Sequence, residues 1–199
     1  MSLRVWSLLA AIVGLILLAG PVLYDMRARD GGVQLSAPLA NIGGPFVLTD
    51  MNGQAFDSAS LLGKPQAVFF GFTHCPEVCP TTLNDMTLAM DRLGAKADDL
   101  RAVFITVDPE RDTPEVLKSY LQSFDHRFLA LTGSPEEIAK VAKSFRVYYA
   151  KQPTSDGSYT MDHTALVFLM NREGKFVGTL DFEENSETKF RKLEKLIGG

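Results

Sequence analysis

FFGFTHCPEVCPTTL, residues 69–83, contains both cysteines of the chain, Cys75 and Cys79. The stretch begins inside an apolar run, residues 66–72, which is typical of a strand covered on both faces. Apolar residues then recur at helical spacing and a glycine stands where the helix would end: Leu83, Met86, Met90, Leu93 and Gly94. The stretch predicts a buried strand, a connection that carries two thiols, and a helix.

Each cysteine precedes a proline, Pro76 or Pro80. Because a residue before proline is biased away from helical geometry, we expect both cysteines in the loop and a helix over residues 80–93. A sulfur near a helix N-terminus is favoured as the thiolate, the form that attacks disulfides and binds metals. The loop is therefore the candidate site of chemistry.

Further strands and helices are predicted around this stretch. The predicted strands are residues 101–107 and 128–131 and the hairpins at 46–56 and 165–182, and the predicted helices begin at Pro114, Pro135 and Ser186. Strands that alternate with helices indicate an α/β fold with a mixed sheet. The position of the cysteine pair narrows this to a thioredoxin-like mixed sheet flanked by helices.

The N-terminal part has a different composition. Residues 5–24 carry no charge over a length that spans ~30 Å of hydrocarbon as a helix. We expect residues 1–24 to form one uncleaved transmembrane anchor; a cleaved signal and a buried core helix are the alternatives. Residues 25–45 are polar and rich in glycine and proline, which is typical of a tether, and residues 46–199 form the globular domain.

The net charge and the number of cysteines exclude two classes of protein. Lys and Arg total 20 and Asp and Glu total 24, a net charge of −4, so there is no basic excess to hold the phosphates of nucleic acid. A disulfide between two cysteines so close in sequence closes too small a loop to stabilise a small disulfide-dependent protein. The two thiols therefore need another explanation.

The three-residue spacing of the cysteines permits either a disulfide or a bite for one ion. Two thiolates leave a metal undercoordinated, so a third ligand is required, and the histidines are His74, His126 and His163. His74 adjoins Cys75 and should point the opposite way, and His126 lies in a polar connection. His163 precedes an apolar strand whose start faces the cysteine loop in a thioredoxin-like fold, but a hydrogen-bonded surface histidine is an equal alternative.

Three segments together resemble the Sco/SenC family: FGFTHCPEVCP at 70–80, VDPERDTP at 107–114 and DHT at 162–164. The resemblance covers roughly residues 40–197. It implies a membrane-tethered copper metallochaperone that binds Cu(I) or Cu(II) through Cys75, Cys79 and His163. It also implies a role in assembling the dinuclear copper centre of cytochrome c oxidase subunit II, with a copper donor and a thiol reductant protein as further partners.

The ligand chemistry agrees with this resemblance, since two thiolates and an imidazole form a soft set suited to copper, whereas structural zinc requires four ligands. Asp108 is assigned a supporting role, hydrogen-bonding near the cysteine loop. Met86 and Met90 are interpreted as core, and Met161 as a residue that could pass copper on. The charged run 109–112 is ordinarily a solvated loop, although it recurs beside the site in the family.

Other functions use the same thiols. A thiol-disulfide reductase would cycle Cys75 and Cys79 as a redox pair and would keep the target's cysteines reduced. The alternative without chemistry is a disulfide that serves only the structure. A thiol peroxidase is disfavoured because Phe72 stands where its Thr or Ser is needed, and thioredoxins place a cis-proline where this chain has His163 and Thr164.

The expected location follows from the N-terminus. Because no Arg- and Ser-rich transit stretch precedes the apolar span, we expect a bacterial inner-membrane protein, single-pass, with its domain in the periplasm.

Overall fold

Two apolar strands lie side by side in the middle of the main sheet in a computed structural model, which describes residues 41–199. They are β3 (Gln66–Gly71) and β4 (Arg101–Thr106), which pair in parallel with Phe69 opposite Phe104. Every residue of β3 is buried, and so is every residue of β4 after Arg101. The continuous apolar runs therefore mark the two strands that are covered on both faces, as expected from the sequence.

The remaining strands extend the sheet to seven, in the order β2-β1-β5-β4-β3-β8-β9. β5 is parallel to β4, whereas β1, β8 and β9 run antiparallel to their neighbours. The bounds are β1 Val47–Asp50, β2 Ala55–Asp57, β5 Phe128–Thr132, β8 Leu166–Met170 and β9 Phe176–Asp181. The mixed sheet predicted from the sequence is confirmed.

Among the described residues, four α-helices flank the sheet: α1 Val78–Leu93, α2 Pro114–Leu121, α3 Pro135–Phe145 and α4 Ser186–Gly198. Short 3-10 helices cover Ser58–Leu61 and Gly94–Asp99. The predicted caps are present: Thr113 accepts a hydrogen bond from the N–H of Val116, and Ser134 forms a capping box with Glu137. α1 packs against α4, and Phe70 of β3 contacts Phe145 of α3 with ring centroids 5.2 Å apart.

The start of α1 differs from the prediction. The helix begins at Val78, two residues before Pro80, so Cys79 lies in its first turn and not in the loop. Proline is tolerated there because the first-turn N–H groups need no acceptor within the helix. The N–H of Cys79 instead donates to the sulfur of Cys75 at 3.3 Å. A residue before proline is biased away from helical geometry. At Cys79 this bias is therefore overridden by the local hydrogen bond and by the complete burial of the side chain.

A hairpin beyond the two predicted ones is present. β6 (Tyr149–Pro153) and β7 (Tyr159–His163) pair antiparallel with Tyr149 opposite His163, separate from the main sheet. The turn between them contains Asp156-Gly157, a strong hairpin signal, and Gly157 has a φ of +81°. His163 therefore ends a strand of its own.

The predicted anchor at residues 1–24 and the predicted tether as far as residue 40 lie outside the described residues. Residues 41–46, which lead into β1, have no regular secondary structure. Within residues 41–199, none of the helices is long and apolar enough to cross a membrane.

The turn before β5 generates a prediction about acid stability. The buried carboxylate of Asp125 accepts hydrogen bonds from Nε of Arg127 at 2.9 Å and from Nη2 at 2.6 Å, so Arg127 holds the pKa of Asp125 below its usual value. A depressed folded-state pKa stabilises the fold above the unfolded pKa of about 4, and this stabilisation is lost as pH falls through the folded value.

We expect Asp125→Asn to lower the free energy of unfolding by about 1–3 kcal/mol near pH 7 and by progressively less below about pH 4. Urea unfolding across this range measures the difference. Asp91→Asn is the matched control, because it removes one carboxylate from an exposed position of α1. A deficit that stays constant with pH would contradict the ion-pair interpretation.

Candidate metal centre

Three potential ligand atoms converge at the end of β3. The sulfurs of Cys75 and Cys79 and an imidazole nitrogen of His163 all lie within 4.8 Å of one another. Cys79 Sγ is 3.5 Å from His163 Nε2, and neither cysteine is in a disulfide. Within residues 41–199, this is the only group of three or more His, Cys, Asp or Glu side chains close enough to hold one ion.

The cysteine loop is shaped by the close approach of β3 to α1. A Cβ atom at Gly71 would lie 2.9 Å from Cys79 Sγ and 2.7 Å from the ring of Phe104, so a side chain does not fit there. The N–H of Cys75 donates to the carbonyl of Phe72 at 3.3 Å, which turns the loop back toward the helix. Cys79 is fully buried as a result, and Cys75 is half-buried at the surface.

The ring of His163 is oriented by its surroundings. Nδ1 lies 3.0 Å from the carbonyl oxygen of Thr164, which can only accept, so Nδ1 carries the proton and donates. The lone pair of the neutral ring is then on Nε2, the nitrogen that faces the sulfurs. Phe69 and Phe72 lie edge-on to the imidazole, with ring centroids 6.3 Å and 5.8 Å away. The ring thus turns its unprotonated nitrogen toward the two sulfurs.

The pKa values of the two thiols are shifted in opposite directions. Hydrogen bonding with the Cys79 thiol, with the His163 ring and with the backbone N–H of Cys79 lowers the pKa of Cys75 to about 4. Donating the thiol hydrogen bond to Cys75, together with burial, raises the pKa of Cys79 well above its usual value. At neutral pH the pair therefore holds one thiolate, at the accessible sulfur, and one thiol, at the buried sulfur.

A buried carboxylate fixes the cysteine loop from behind, and the sequence analysis missed it. Asp112 is 0% exposed and accepts hydrogen bonds from the Thr73 N–H at 3.0 Å, the Thr73 hydroxyl at 2.6 Å and the Thr106 hydroxyl at 2.6 Å. Burial raises its pKa. The charged run 109–112, interpreted as a solvated loop, thus ends in a residue that ties β4 to the start of the loop.

Asp108, to which the sequence assigned a hydrogen bond near the cysteine loop, lies on the histidine side of the site. Its buried carboxylate accepts from Nε of Arg111 at 2.5 Å and from the hydroxyl of Tyr159 at 2.9 Å. Tyr159 begins the strand that ends in His163. The structure therefore divides the supporting role between Asp112 and Asp108.

The other candidate residues lie outside the cluster. His74 and His126 are exposed, and the nearest polar groups to their rings are the Thr73 hydroxyl and the Asp125 carboxylate. Met86 and Met90 are buried in the core, as predicted, and Met161 is buried beneath the β6–β7 hairpin. All peptide bonds in residues 41–199 are trans, so the thioredoxin cis-proline has no counterpart there.

Fold and site together define a class: a thioredoxin-like domain in which a Cys-x3-Cys pair at a helix N-terminus faces a histidine. The chain belongs to the SCO1/SenC family, whose family model matches residues 35–198.

Individual relatives agree with this assignment. A SCO2-like protein of Rickettsia prowazekii is 44% identical over 138 residues, which are 68% of this chain and 67% of the relative. ScoI of Bradyrhizobium japonicum, solved with copper bound, is 52% identical with a TM-score of 0.73 over 78% of this chain and 99% of that one. BsSco, described as having a disulfide switch and as a member of the Sco family of cytochrome c oxidase assembly proteins, is 27% identical with a TM-score of 0.62, over 83% and 98% of the two chains.

The contact at Gly71 generates a prediction. Because an added methyl group would overlap the Cys79 sulfur, we expect Gly71→Ala to lower the free energy of unfolding by about 1–3 kcal/mol. It should also displace the sulfur, which makes Cys79 react faster with iodoacetamide. Gly198→Ala is the control, since an added Cβ meets nothing within 4 Å at that position. Equal stability of the two variants would show that β3 and α1 are not in the close contact described here.

The lowered pKa of Cys75 generates a second prediction. We expect iodoacetamide to label Cys75 before Cys79, at a rate almost constant between about pH 8 and pH 6, because Cys75 stays ionised well below the usual thiol pKa of about 8.5. Cys79→Ala should move this dependence toward that usual value. Mass spectrometry of the labelled peptides measures both rates. A Cys75 rate that falls about tenfold per pH unit below pH 8 would contradict the hydrogen-bond assignment.

Proposed function

We propose that this protein is a copper metallochaperone that holds one copper ion between Cys75, Cys79 and His163. The observation that carries the proposal is the convergence of two sulfurs and one imidazole nitrogen within 4.8 Å. These are soft ligands in a number that suits trigonal Cu(I), and they are one ligand short of a structural zinc site. The copper-bound ScoI of Bradyrhizobium japonicum, with 52% identity, supports the same choice of metal.

We further propose that the copper is delivered to the dinuclear centre of cytochrome c oxidase subunit II. The description of BsSco as belonging to a family of cytochrome c oxidase assembly proteins supports this target. Delivery would use the difference in burial between the ligands: Cys75 is half-buried, whereas Cys79 is 0% exposed. An incoming ligand of the acceptor can reach the metal from the Cys75 side, so copper is exchanged one ligand at a time.

The expected anchor completes the proposal. A transmembrane helix within residues 1–24 would hold the domain at the periplasmic face of a bacterial inner membrane, close to a membrane-embedded oxidase. In an oxidising compartment the two thiols need a reductant protein before copper can bind, because a disulfide offers no thiolate. A copper donor and a thiol reductant are therefore part of the proposed cycle.

A second candidate function is thiol-disulfide reduction of the target's cysteines. The free pair favours it, since Cys75 has the lowered pKa of an attacking thiol and Cys79 lies beside it. The Cys75 thiolate would attack a target disulfide and release one target thiolate. Cys79, losing its proton, would then attack the mixed disulfide, so that the target gains two electrons and Cys75 and Cys79 end as a disulfide.

His163 separates the two functions, because a three-ligand copper site needs it and thiol exchange does not. We expect His163→Ala to weaken Cu(I) binding by more than the ~10–100-fold that the loss of an outer-shell partner costs. Its rate of reducing a model disulfide should change far less, because the Cys79 thiol contributes more than His163 to the lowered pKa of Cys75. Competition with a Cu(I) chelator under reducing conditions gives the affinity, and oxidised protein should bind no copper at this site.

His126→Ala is the matched control, since this histidine is exposed and lies outside the cluster. It should bind copper as the parent does. Undiminished copper affinity in His163→Ala would overturn the three-ligand assignment. If His163→Ala also loses disulfide reduction, the histidine serves the thiols themselves and the reductase becomes the better proposal.

A further inference from the structure

The β6–β7 hairpin, which carries His163, contacts the rest of the domain at few points: Met161 is buried in the core, and Lys151 of β6 forms an exposed ion pair with Glu110 at 2.6 Å. It pairs with no strand of the main sheet, and residues 151–158 are all exposed. A two-stranded ribbon is at best marginally stable alone in water. Its position therefore depends on the side chains that point toward the domain, which alternate along β7: Tyr159, Met161 and His163.

The side chain of His163, at one end of β7, makes weak contacts with the domain. His163 has edge-on aromatic neighbours and a 3.5 Å approach to the Cys79 sulfur. The backbone beside it is held by Thr164, whose N–H donates to the carbonyl of Tyr148 at 3.0 Å. That bond continues the pairing of the hairpin by one residue, and the chain enters β8 of the main sheet two residues later, at Leu166, so the backbone after His163 is held while its side chain has no strong contact.

The opposite end of β7 is strongly held. The hydroxyl of Tyr159 donates to the buried carboxylate of Asp108 at 2.9 Å, and the guanidinium of Arg111 lies 3.8 Å from the centroid of the Tyr159 ring. Nη1 of Arg111 also donates to the carbonyl oxygen of Tyr159 at 2.9 Å, while Nε donates to Asp108. Both the side chain and the backbone of Tyr159 are thus attached to the loop after β4.

The same loop holds the cysteines by a separate set of bonds, in which Asp112 accepts from Thr73 and Thr106. Residues 108–112 therefore contact both segments that supply the proposed ligands. The histidine segment is attached through Arg111 and Tyr159, and the cysteine segment through Asp112.

We propose that Tyr159 and Arg111 form a latch that positions His163 for metal binding. The inference rests on the proposed copper site and adds two positioning residues to it. Tyr159 lies four residues before His163, about 13 Å along an extended strand, so neither latch residue touches the metal. The latch fixes one end of a short, stiff strand, and the imidazole at the other end is thereby kept beside the thiols.

The test uses Tyr159→Phe, which removes the hydroxyl and keeps the ring. We expect amide hydrogen exchange of residues 159–163 to become faster in the metal-free protein, and Cu(I) affinity to fall roughly tenfold, as for other outer-shell partners. The alkylation rate of Cys75 should stay unchanged, because Asp112 holds the cysteine loop independently. Arg111→Lys keeps the charge but loses the forked geometry and should act in the same direction.

Tyr148→Phe is the matched control, because Tyr148 is 58% exposed beside β6 and its hydroxyl makes no hydrogen bond in the described structure. In the His163→Ala background, Tyr159→Phe should cause no further loss of copper affinity. Unchanged hydrogen exchange in metal-free Tyr159→Phe would overturn the latch, whether or not copper binds. An equal loss of affinity with and without His163 would also overturn it, whereas a parent protein that binds no copper would overturn only the proposed function.

Discussion

The buried carboxylate of Asp112 is the interaction on which the site depends. An ion taken out of water costs several kcal/mol unless its lone pairs are satisfied, and three hydrogen bonds from Thr73 and Thr106 satisfy them here. Because two of these donors belong to Thr73, the residue that opens the cysteine loop, the loop cannot shift without leaving the charge unpaired. The fold thus places the thiols by making their displacement costly.

The proposed ligands come from distant parts of the chain, since 84 positions separate Cys79 from His163. No local segment can assemble such a site, and the three ligand atoms meet only when β3, α1 and the β6–β7 hairpin have all formed. A metal that binds the assembled trio therefore stabilises the folded state. The cysteines lie in the loop and the first turn of α1 that follow the central strand β3, whereas the histidine ends β7, outside the main sheet.

The sequence predicted most of the sheet and helices because their signals are local. Apolar runs identified β3 and β4, and the cap residues Thr113 and Ser134 located two helix starts. The sequence did not predict the features that tertiary contacts determine. Burial of Cys79 moved the start of α1 to Val78, and the turn signal Asp156-Gly157 was overlooked because the strands beside it are mostly polar. The resemblance to the family pointed to the three proposed ligands. Nothing in the sequence of the charged run 109–112, however, shows that Asp112 is buried.

The difference between the two thiols reconciles the two proposed activities. A thiolate at Cys75 and a thiol at Cys79 form the pair that a reductase needs, and a copper site requires both sulfurs to be deprotonated. Metal binding at the buried Cys79 would therefore release its proton to solvent, a cost that a strongly thiophilic cation would offset. Thiolates bound to copper would be much weaker nucleophiles toward disulfides, and a disulfide offers no thiolate to copper. Both activities start from the reduced pair and cannot operate at once on one molecule, so copper occupancy selects between them, and the disulfide form performs neither.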